Sequence, residues 1–238
     1  MALNEPLLSI EHLDAWRGGS HVLHDLSFDV AEKESVGVVG RNGVGKTTLV
    51  ESIFRMGPTT RGAMQFRGRR LDGMAASRLM GLGIALVPQG RRLFPSLTVG
   101  EHLALAASRT KLPTDLDRIH ALFPILEERS RAPAISLSGG ERSMLAIARA
   151  LVTSPRMVIM DEPTEGLAPL LVRQISETLL GLREEGVALL VVEQNLDLAI
   201  GVTDRLFVMD RGTIVEEFTS RAIADIEEVR RLIVLGRA

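Results

Sequence analysis

A glycine-rich stretch at residues 40–47, GRNGVGKT, carries the clearest chemical pattern of the chain and fits G-x-x-x-x-G-K-[ST] in full. Glycines let the backbone curl until several N–H groups point into one hollow, and the N-terminus of a following helix adds the positive end of its dipole. Lys46 is then placed to reach the β- and γ-phosphates of a nucleotide, and the Thr47 hydroxyl to ligate Mg²⁺. The stretch predicts a nucleoside triphosphate site; a glycine-rich turn without a ligand is the alternative.

Polar side chains also stand at the ends of three apolar segments further along the chain. Asp161 and Glu162 end one segment, Gln89 ends another, and Gln194 follows a third. Ligands of open α/β sheets bind outside the carboxyl ends of the strands, so we expect these groups to meet the glycine-rich loop there. Asp161 would hold Mg²⁺ directly or through water, and Glu162 would orient and deprotonate the attacking water. An Asp-Glu pair by itself is more often a solvated strand end; the loop upstream favours the catalytic interpretation.

Apolar periodicity predicts the elements that must position these groups. Strands alternate with helices, which favours a mainly parallel sheet with helices on both faces. From Gly90 to about Thr153 only helical periodicity is found, divided by prolines, and we expect a helical insertion there. The predicted strands are 7–16, 22–30, 35–39, 63–66, 84–87, 157–160, 187–192, 206–210 and 213–218. The predicted helices are 47–54, 75–82, 98–108, 115–123, 142–152, 170–183, 196–202 and 221–235, with turns at 18–20 and 57–62.

Composition limits the class of protein. The 238 residues, 45% of them hydrophobic, suit one sizeable α/β domain. The net charge of −2 gives no general attraction to nucleic acid or to an anionic membrane, and the absence of cysteine excludes disulfides, thiolate catalysis and cysteine-based metal sites. Residues 1–10 lack a signal-peptide pattern, and no apolar run reaches the roughly 18 residues of a membrane span. We therefore expect membrane association only through partner proteins.

The segment Leu-Ser-Gly-Gly-Glu at 137–141 precedes a predicted helix and lies about 20 residues ahead of Asp161. With the glycine-rich loop, Gln89 and the strand before Asp161, it resembles the signature of the ATP-binding-cassette (ABC) family over practically the whole chain. The resemblance implies one α/β domain with a P-loop NTPase (RecA-like) core, whose sheet is mainly parallel, and an N-terminal antiparallel β subdomain. The core would take residues 1–89 and 155–238, and a helical ABC subdomain about 90–154.

The same resemblance implies a dimer, either a homodimer or a heterodimer with a second ABC ATPase, that encloses two ATP molecules. Each γ-phosphate would also be contacted by the partner's Ser138 and Gly140. Ser138 as a helix N-cap is the simpler interpretation, and the two agree because a capped helix start is itself an anion site. Trp16, the only tryptophan, falls at the aromatic position that stacks on adenine; covering a core edge is its alternative role.

Finer features resemble one branch of the family, the ATPases of branched-chain amino acid uptake systems and of the related urea importers. Three positions depart from the wider family: Glu141 stands where glutamine is commoner, residues 164–167 lack the usual Ser-Ala-Leu-Asp, and Gln194 replaces the switch histidine. A glutamine amide can hydrogen bond to a γ-phosphate but does not titrate near neutrality; capping the helix near Leu196 is its alternative role. The segments that carry the resemblance are 90–95, 97–99, 164–169 and 192–195, with 229–231 and 235–236.

These residues give the expected site, with ATP and Mg²⁺ as ligands. We expect catalysis from Glu162, Gln194 and Gln89, and Mg²⁺ ligation by Thr47, Gln89 and Asp161. The expected ATP contacts are Trp16, Gly40, Arg41, Asn42, Gly43, Val44, Gly45, Lys46, Thr47 and Thr48. The signature offered to the partner's site is Ser138, Gly139, Gly140 and Glu141.

The resemblance implies the ATP-hydrolysing subunit of an importer, with branched-chain amino acids as the expected substrates. It would be cytoplasmic, bound to integral membrane permease subunits on the inner face of the cell membrane, and without a nucleic acid partner. Phe94, Leu97 and Val99 are unusually apolar for the surface of an insertion and would contact the permease or pack the insertion's own core. The alternatives are an ABC ATPase without a transporter, a regulatory nucleotide-binding module and a P-loop kinase. No coiled-coil insertion or tandem cassette supports the first, Glu162 argues against the second, and 137–141 has no role in the third.

Overall fold

The computed structural model describes residues 5–108, 114–219, 229–231 and 233. The predicted helix 221–235 lies for the most part outside these residues; within them, 229–231 and 233 are helical. The strands are β1 (Leu8–Arg17), β2 (Ser20–Val30), β3 (Ser35–Val39), β4 (Thr59–Phe66), β5 (Arg69–Arg70), β6 (Ile84–Val87), β7 (Met157–Asp161), β8 (Ala188–Glu193), β9 (Arg205–Asp210) and β10 (Thr213–Thr219). The α-helices are α1 (Lys46–Ile53), α2 (Ala76–Gly81), α3 (Val99–Ser108), α4 (Leu116–Leu122), α5 (Pro124–Glu128), α6 (Gly139–Leu151), α7 (Pro169–Glu184) and α8 (Leu196–Val202).

A six-stranded sheet forms the centre, in the order β10-β9-β3-β8-β7-β6. All neighbours run parallel except β9 and β10. Strands β3, β7 and β8 are buried along their whole length, because a parallel sheet is covered on both faces. In β7, Met157 and Ile159 pack in one core cluster and Val158 and Met160 in another, as expected for side chains on opposite faces. The predicted mainly parallel sheet is confirmed.

A second sheet of antiparallel strands, in the order β2-β1-β4-β5, carries the N-terminal part of the chain. The prediction of a turn through 57–62 is wrong from Thr59 onward, because β4 already begins there. There β1 continues the pairing, with Trp16 opposite Thr59 and Ala15 opposite Thr60. Backbone pairing with a distant segment thus overrides the local turn propensity of the Gly-Pro-Thr-Thr sequence.

Helices α3 to α6 lie in the region where the sequence predicts only helices. Residues 90–108 and 114–153 contain no strand, only an isolated bridge between Thr98 and Pro133. Helix α6 begins at Gly139, three residues before its predicted start, because a capping box fixes its N-terminus. The Ser138 hydroxyl accepts from Glu141 N (3.2 Å), and the Glu141 carboxylate accepts from Ser138 N (2.7 Å). The division into a core and a helical subdomain at about 90–154 stays a prediction. Across the described ranges, no helix is both long and apolar enough to cross a membrane.

Candidate nucleotide site

The loop between β3 and α1 needs its glycines for two separate reasons. A Cβ on Gly40 would lie 2.3 Å from the carbonyl oxygen of Met209 in β9, so no side chain fits there. Gly45 caps α1 with φ of 112°, a left-handed conformation that glycine adopts without strain. The chain can therefore turn tightly from the buried strand into the helix, and the first amides of α1 face the loop.

A hollow of about 230 Å³ opens in front of this loop. Sequence reasoning predicted most of its wall but missed Val22 and Glu165. Glu165 lies in the segment 164–169, which carried the family resemblance without any role for that carboxylate. The predicted residues that line the hollow are Asn42, Gly43, Gly45, Lys46, Thr47, Thr48, Gln89 and Glu162.

Lys46 is almost fully buried, and its ammonium group is held at the loop. Its Nζ donates to the carbonyl oxygens of Gly40 (2.9 Å) and Arg41 (3.1 Å) and lies 3.0 Å from Glu162 Oε1. Glu162 follows the end of β7 with a left-handed φ of 49°, which turns the chain away from the strand direction. The structure therefore places the predicted phosphate-binding cation and the predicted base side by side.

Three oxygen atoms from separate elements converge beside this pair. The Thr47 hydroxyl lies 3.3 Å from Gln89 Oε1 and 3.4 Å from Asp161 Oδ1. Burial raises the pKa of the Asp161 carboxyl to about 6; the hydrogen bond from Thr47 and the charge of Lys46 oppose this, and the charge of Glu162 adds to it. A hydroxyl, an amide oxygen and a carboxylate are the hard donors that Mg²⁺ takes, and a dication there would favour the ionised carboxyl.

The Gln89 side chain is oriented by two carboxylates. Its Nε2 donates to Glu162 Oε2 (3.1 Å) and to Glu165 Oε2 (3.1 Å). With both amide protons used on that side, the amide oxygen faces Thr47. The predicted convergence of Gln89, Glu162 and the glycine-rich loop at one edge of the sheet is what the structure has.

The structure leaves the Gln194 side chain exposed and, among the described residues, without a hydrogen-bond partner. Its backbone N donates to Glu193 Oε2 (2.9 Å). The alternative role as a helix cap is wrong, because Asn195 caps α8 by accepting from Leu198 N (3.1 Å). The predicted contact of Gln194 with the γ-phosphate stays a prediction.

We expect Gln194→Ala to lower ATP turnover at least tenfold if the amide holds the γ-phosphate and the attacking water in line. We expect Gln194→His to stay active and to gain an inflection in its pH–rate profile between about pH 6 and 7.5, where an imidazole near phosphate titrates. Steady-state ATPase assays from pH 5.5 to 9 measure both. Unchanged turnover in the alanine variant would contradict the contact of Gln194 with the γ-phosphate and leave it a structural role only.

Trp16 is half-buried and does not line the hollow. Its ring stacks on His21 of β2, with centroids 4.5 Å apart and an interplanar angle of 12°. His21 is in turn held by Asp14 at 2.8 Å. Stacking of adenine on Trp16 therefore stays a prediction. The contact between the signature residues and the γ-phosphate of a partner chain also stays a prediction. In the signature, Ser138 is exposed and Gly140 is buried against Leu171.

Comparison with protein families matches residues 23–165 to the ABC transporter family, from Leu23 in β2 to Glu165. The chain belongs to the ABC transporter family. It is 38% identical over 227 residues to the high-affinity branched-chain amino acid transport ATP-binding protein BraG of Pseudomonas aeruginosa, covering 94% of this chain and 97% of BraG. It is 34% identical to the probable branched-chain amino acid transport ATP-binding protein LivF of Archaeoglobus fulgidus, covering 89% of this chain and 92% of LivF.

Solved structures agree with this membership. The fold matches a nucleotide-free ATP-binding cassette from an ABC transporter with a TM-score of 0.82 and 26% identity, over 98% of this chain and 100% of that one. The predicted α/β fold and the predicted family are confirmed. The chain is an ABC transporter subunit that binds and hydrolyses ATP.

Proposed function

We propose that this ABC ATPase drives the import of branched-chain amino acids through separate permease subunits. The observation that carries this proposal is the 38% identity to BraG along nearly the full length of both chains. We place the protein as a dimer, peripheral on the cytoplasmic face of the cell membrane. A transporter-independent ABC ATPase and a regulatory nucleotide-binding module are the alternatives that the experiments below address.

The chemistry that we assign to the site uses the residues around the hollow. Lys46 and the amides of the glycine-rich loop bind the β- and γ-phosphates and offset their charge. Glu162 accepts the proton of the water that attacks the γ-phosphate, and Gln89 keeps that carboxylate in place through its 3.1 Å hydrogen bond. Displacement of Lys46 from Glu162 by the phosphates would leave the carboxylate available to the water.

We assign Mg²⁺ to Thr47, Gln89 and Asp161, whose oxygen atoms meet beside the hollow. When bound, the ion offsets phosphate charge and orients the phosphates for in-line attack. No group of three His, Cys, Asp or Glu residues able to hold a metal is found within the described ranges. This suits Mg²⁺, which takes one or two carboxylates and completes its shell with phosphate oxygens and water.

An apolar cleft between the core and the helical insertion is our candidate for permease docking. It has a volume of about 400 Å³, and Phe94 at its wall keeps 55% of its surface exposed. Of the three apolar residues singled out in the sequence, Val99 is fully buried and packs the core of the insertion. Phe94 alone has the exposure that a contact with a permease helix needs.

Reconstitution with the permease subunits in proteoliposomes tests the proposed function. We expect ATP supplied on the side of the membrane where the ATPase subunit lies to drive uptake of radiolabelled leucine. The Phe94→Asp variant should lose this uptake and should no longer co-purify with the permease. Its ATP affinity and thermal unfolding should stay unchanged, because the side chain is mostly exposed. Leu116→Asp is the matched control, since Leu116 is 40% exposed outside the cleft and begins α4, where an acidic residue is tolerated.

One outcome would contradict the proposed import, and another the docking role of Phe94. ATP turnover that the permease never alters, with no leucine uptake, would favour a transporter-independent ATPase. Loss of the cooperative melt in Phe94→Asp would show that Phe94 packs the insertion rather than a partner.

A further inference from the structure

Glu193, the last residue of β8, is a buried carboxylate at the end of an otherwise apolar strand. Only 2% of its surface is exposed, and the five residues before it in β8 are all aliphatic. Burying a carboxylate is costly unless hydrogen bonds or opposite charges compensate. The only sequence signal for it was a charged residue placed directly before Gln194.

Four donors satisfy this carboxylate, two on each oxygen. Oε1 accepts from the backbone N (3.0 Å) and the hydroxyl (2.6 Å) of Thr164. Oε2 accepts from the backbone N of Gln194 (2.9 Å) and of Asn195 (3.1 Å). These four hydrogen bonds are the compensation that the structure shows for the buried charge of Glu193.

These bonds join the segment after β7, which brings Glu162 and Glu165 to the hollow, to the segment that follows β8. Thr164 follows Glu162 by two residues, and the backbone N of Glu162 itself donates to the carbonyl oxygen of Val192 (2.8 Å). The loop after the proposed base is therefore tied to the end of β8 at two points. Gln194 belongs to the loop on the other side of the same carboxylate.

We propose that Glu193 is a positioning residue for ATP hydrolysis, which fixes the loop that follows Glu162 and the loop of Gln194 in one geometry. The proposal rests on the proposed roles of Glu162 and Gln194. Through Glu193, a shift of one loop moves the other, so the base and the γ-phosphate contact keep their relative position.

Helix formation does not account for this carboxylate. Asn195 already caps α8, so the helix has its N-terminal acceptor without Glu193. An amide of the same shape would fill the space but has one acceptor oxygen, which would leave one pair of donors facing an NH₂ group. The four donors specifically require two acceptor oxygens.

We expect Glu193→Gln to lower kcat for ATP about 10²-fold, because an error near 1 Å in the position of reacting groups has effects of that size. The Kd for MgATP, measured by equilibrium dialysis, should change less than about threefold, since Glu193 does not line the hollow. Thr164→Val removes one of the four donors and should lower kcat less than Glu193→Gln, and Thr164→Ser should restore it. Thr203→Val is the matched control: Thr203 is 2% exposed, and its hydroxyl donates to Ala199 O (2.7 Å) at the other edge of the sheet.

A double substitution separates positioning from general stability. If Glu193 acts through Gln194, adding Gln194→Ala to Glu193→Gln should lower kcat by less than about threefold more. If the losses of kcat in the two single variants instead multiply in the double variant, Glu193 does not act through Gln194, and the proposal is contradicted.

Equal losses of kcat in Thr164→Val and Thr203→Val would show that Glu193 has only a structural role. Loss of MgATP affinity in step with kcat would show the same. If Glu193→Gln does not fold, the two Thr164 variants decide, and turnover within twofold of wild type in Thr164→Val overturns the proposal. Leucine uptake and Glu162→Gln test the proposed function separately.

Discussion

Replacing Glu162 with glutamine is expected to lower ATP turnover by about 10²–10⁴-fold, the range that a positioned general base contributes. The carboxylate lies 3.0 Å from Lys46 Nζ and 3.1 Å from Gln89 Nε2, on the wall of the phosphate hollow. A glutamine keeps its size and can keep a hydrogen bond, but it cannot accept a proton from water. ATP binding should therefore survive, and the variant should accumulate as an ATP-loaded dimer.

Single-turnover ATPase assays and size-exclusion chromatography with MgATP measure these two effects. Glu185→Gln is the control. Glu185 is an exposed carboxylate paired with Arg118, so this substitution removes one charge without touching the site. Turnover of Glu162→Gln within threefold of wild type would remove Glu162 from the role of base.

Ser138→Arg is expected to abolish hydrolysis while the affinity of a single chain for ATP barely changes. None of the residues 137–141 lines the hollow of its own chain, and Ser138 is exposed at the start of α6. The loss of the helix cap costs only about 1 kcal/mol, too little to explain complete inactivation by unfolding. An arginine would instead block the γ-phosphate contact that we propose for the partner's site.

Mixed dimers test this directly. A Lys46→Ala chain has a defective loop and an intact signature, and a Ser138→Arg chain has an intact loop and a defective signature. In a mixed dimer, the loop of the Ser138→Arg chain faces the signature of the Lys46→Ala chain, so this composite site carries neither defect. Activity should therefore return in part. Ser136→Arg is the matched control, an exposed serine just before the signature whose hydroxyl donates to Pro133 O. No activity in verified heterodimers would contradict independent composite sites.

Local sequence patterns predict those elements whose structure depends on residues close together in the chain. The predicted bounds of strand 35–39 and of helix 196–202 agree with the structure to the residue, since the apolar pattern of each segment is a local feature. The loop 40–47 was predicted for the same reason, because its glycines and Lys46 are needed at fixed spacing. The convergence of Gln89, Asp161 and Glu162 followed from a general property of parallel sheets rather than from any one residue.

Tertiary structure decided what depends on neighbours distant in the sequence. The start of β4 at Thr59 is set by pairing with Trp16, and the burial of Val99 by the helices packed around it. The partners of Glu165 and Glu193 cannot be read from the sequence, because a hydrogen bond to Gln89 or to Thr164 spans many residues. The sequence by itself determined the family, the phosphate loop and the site edge, all of which rest on short-range spacing. The burial of Glu193 was decided only by the fold, since a buried carboxylate depends on donors that the folded chain brings to it.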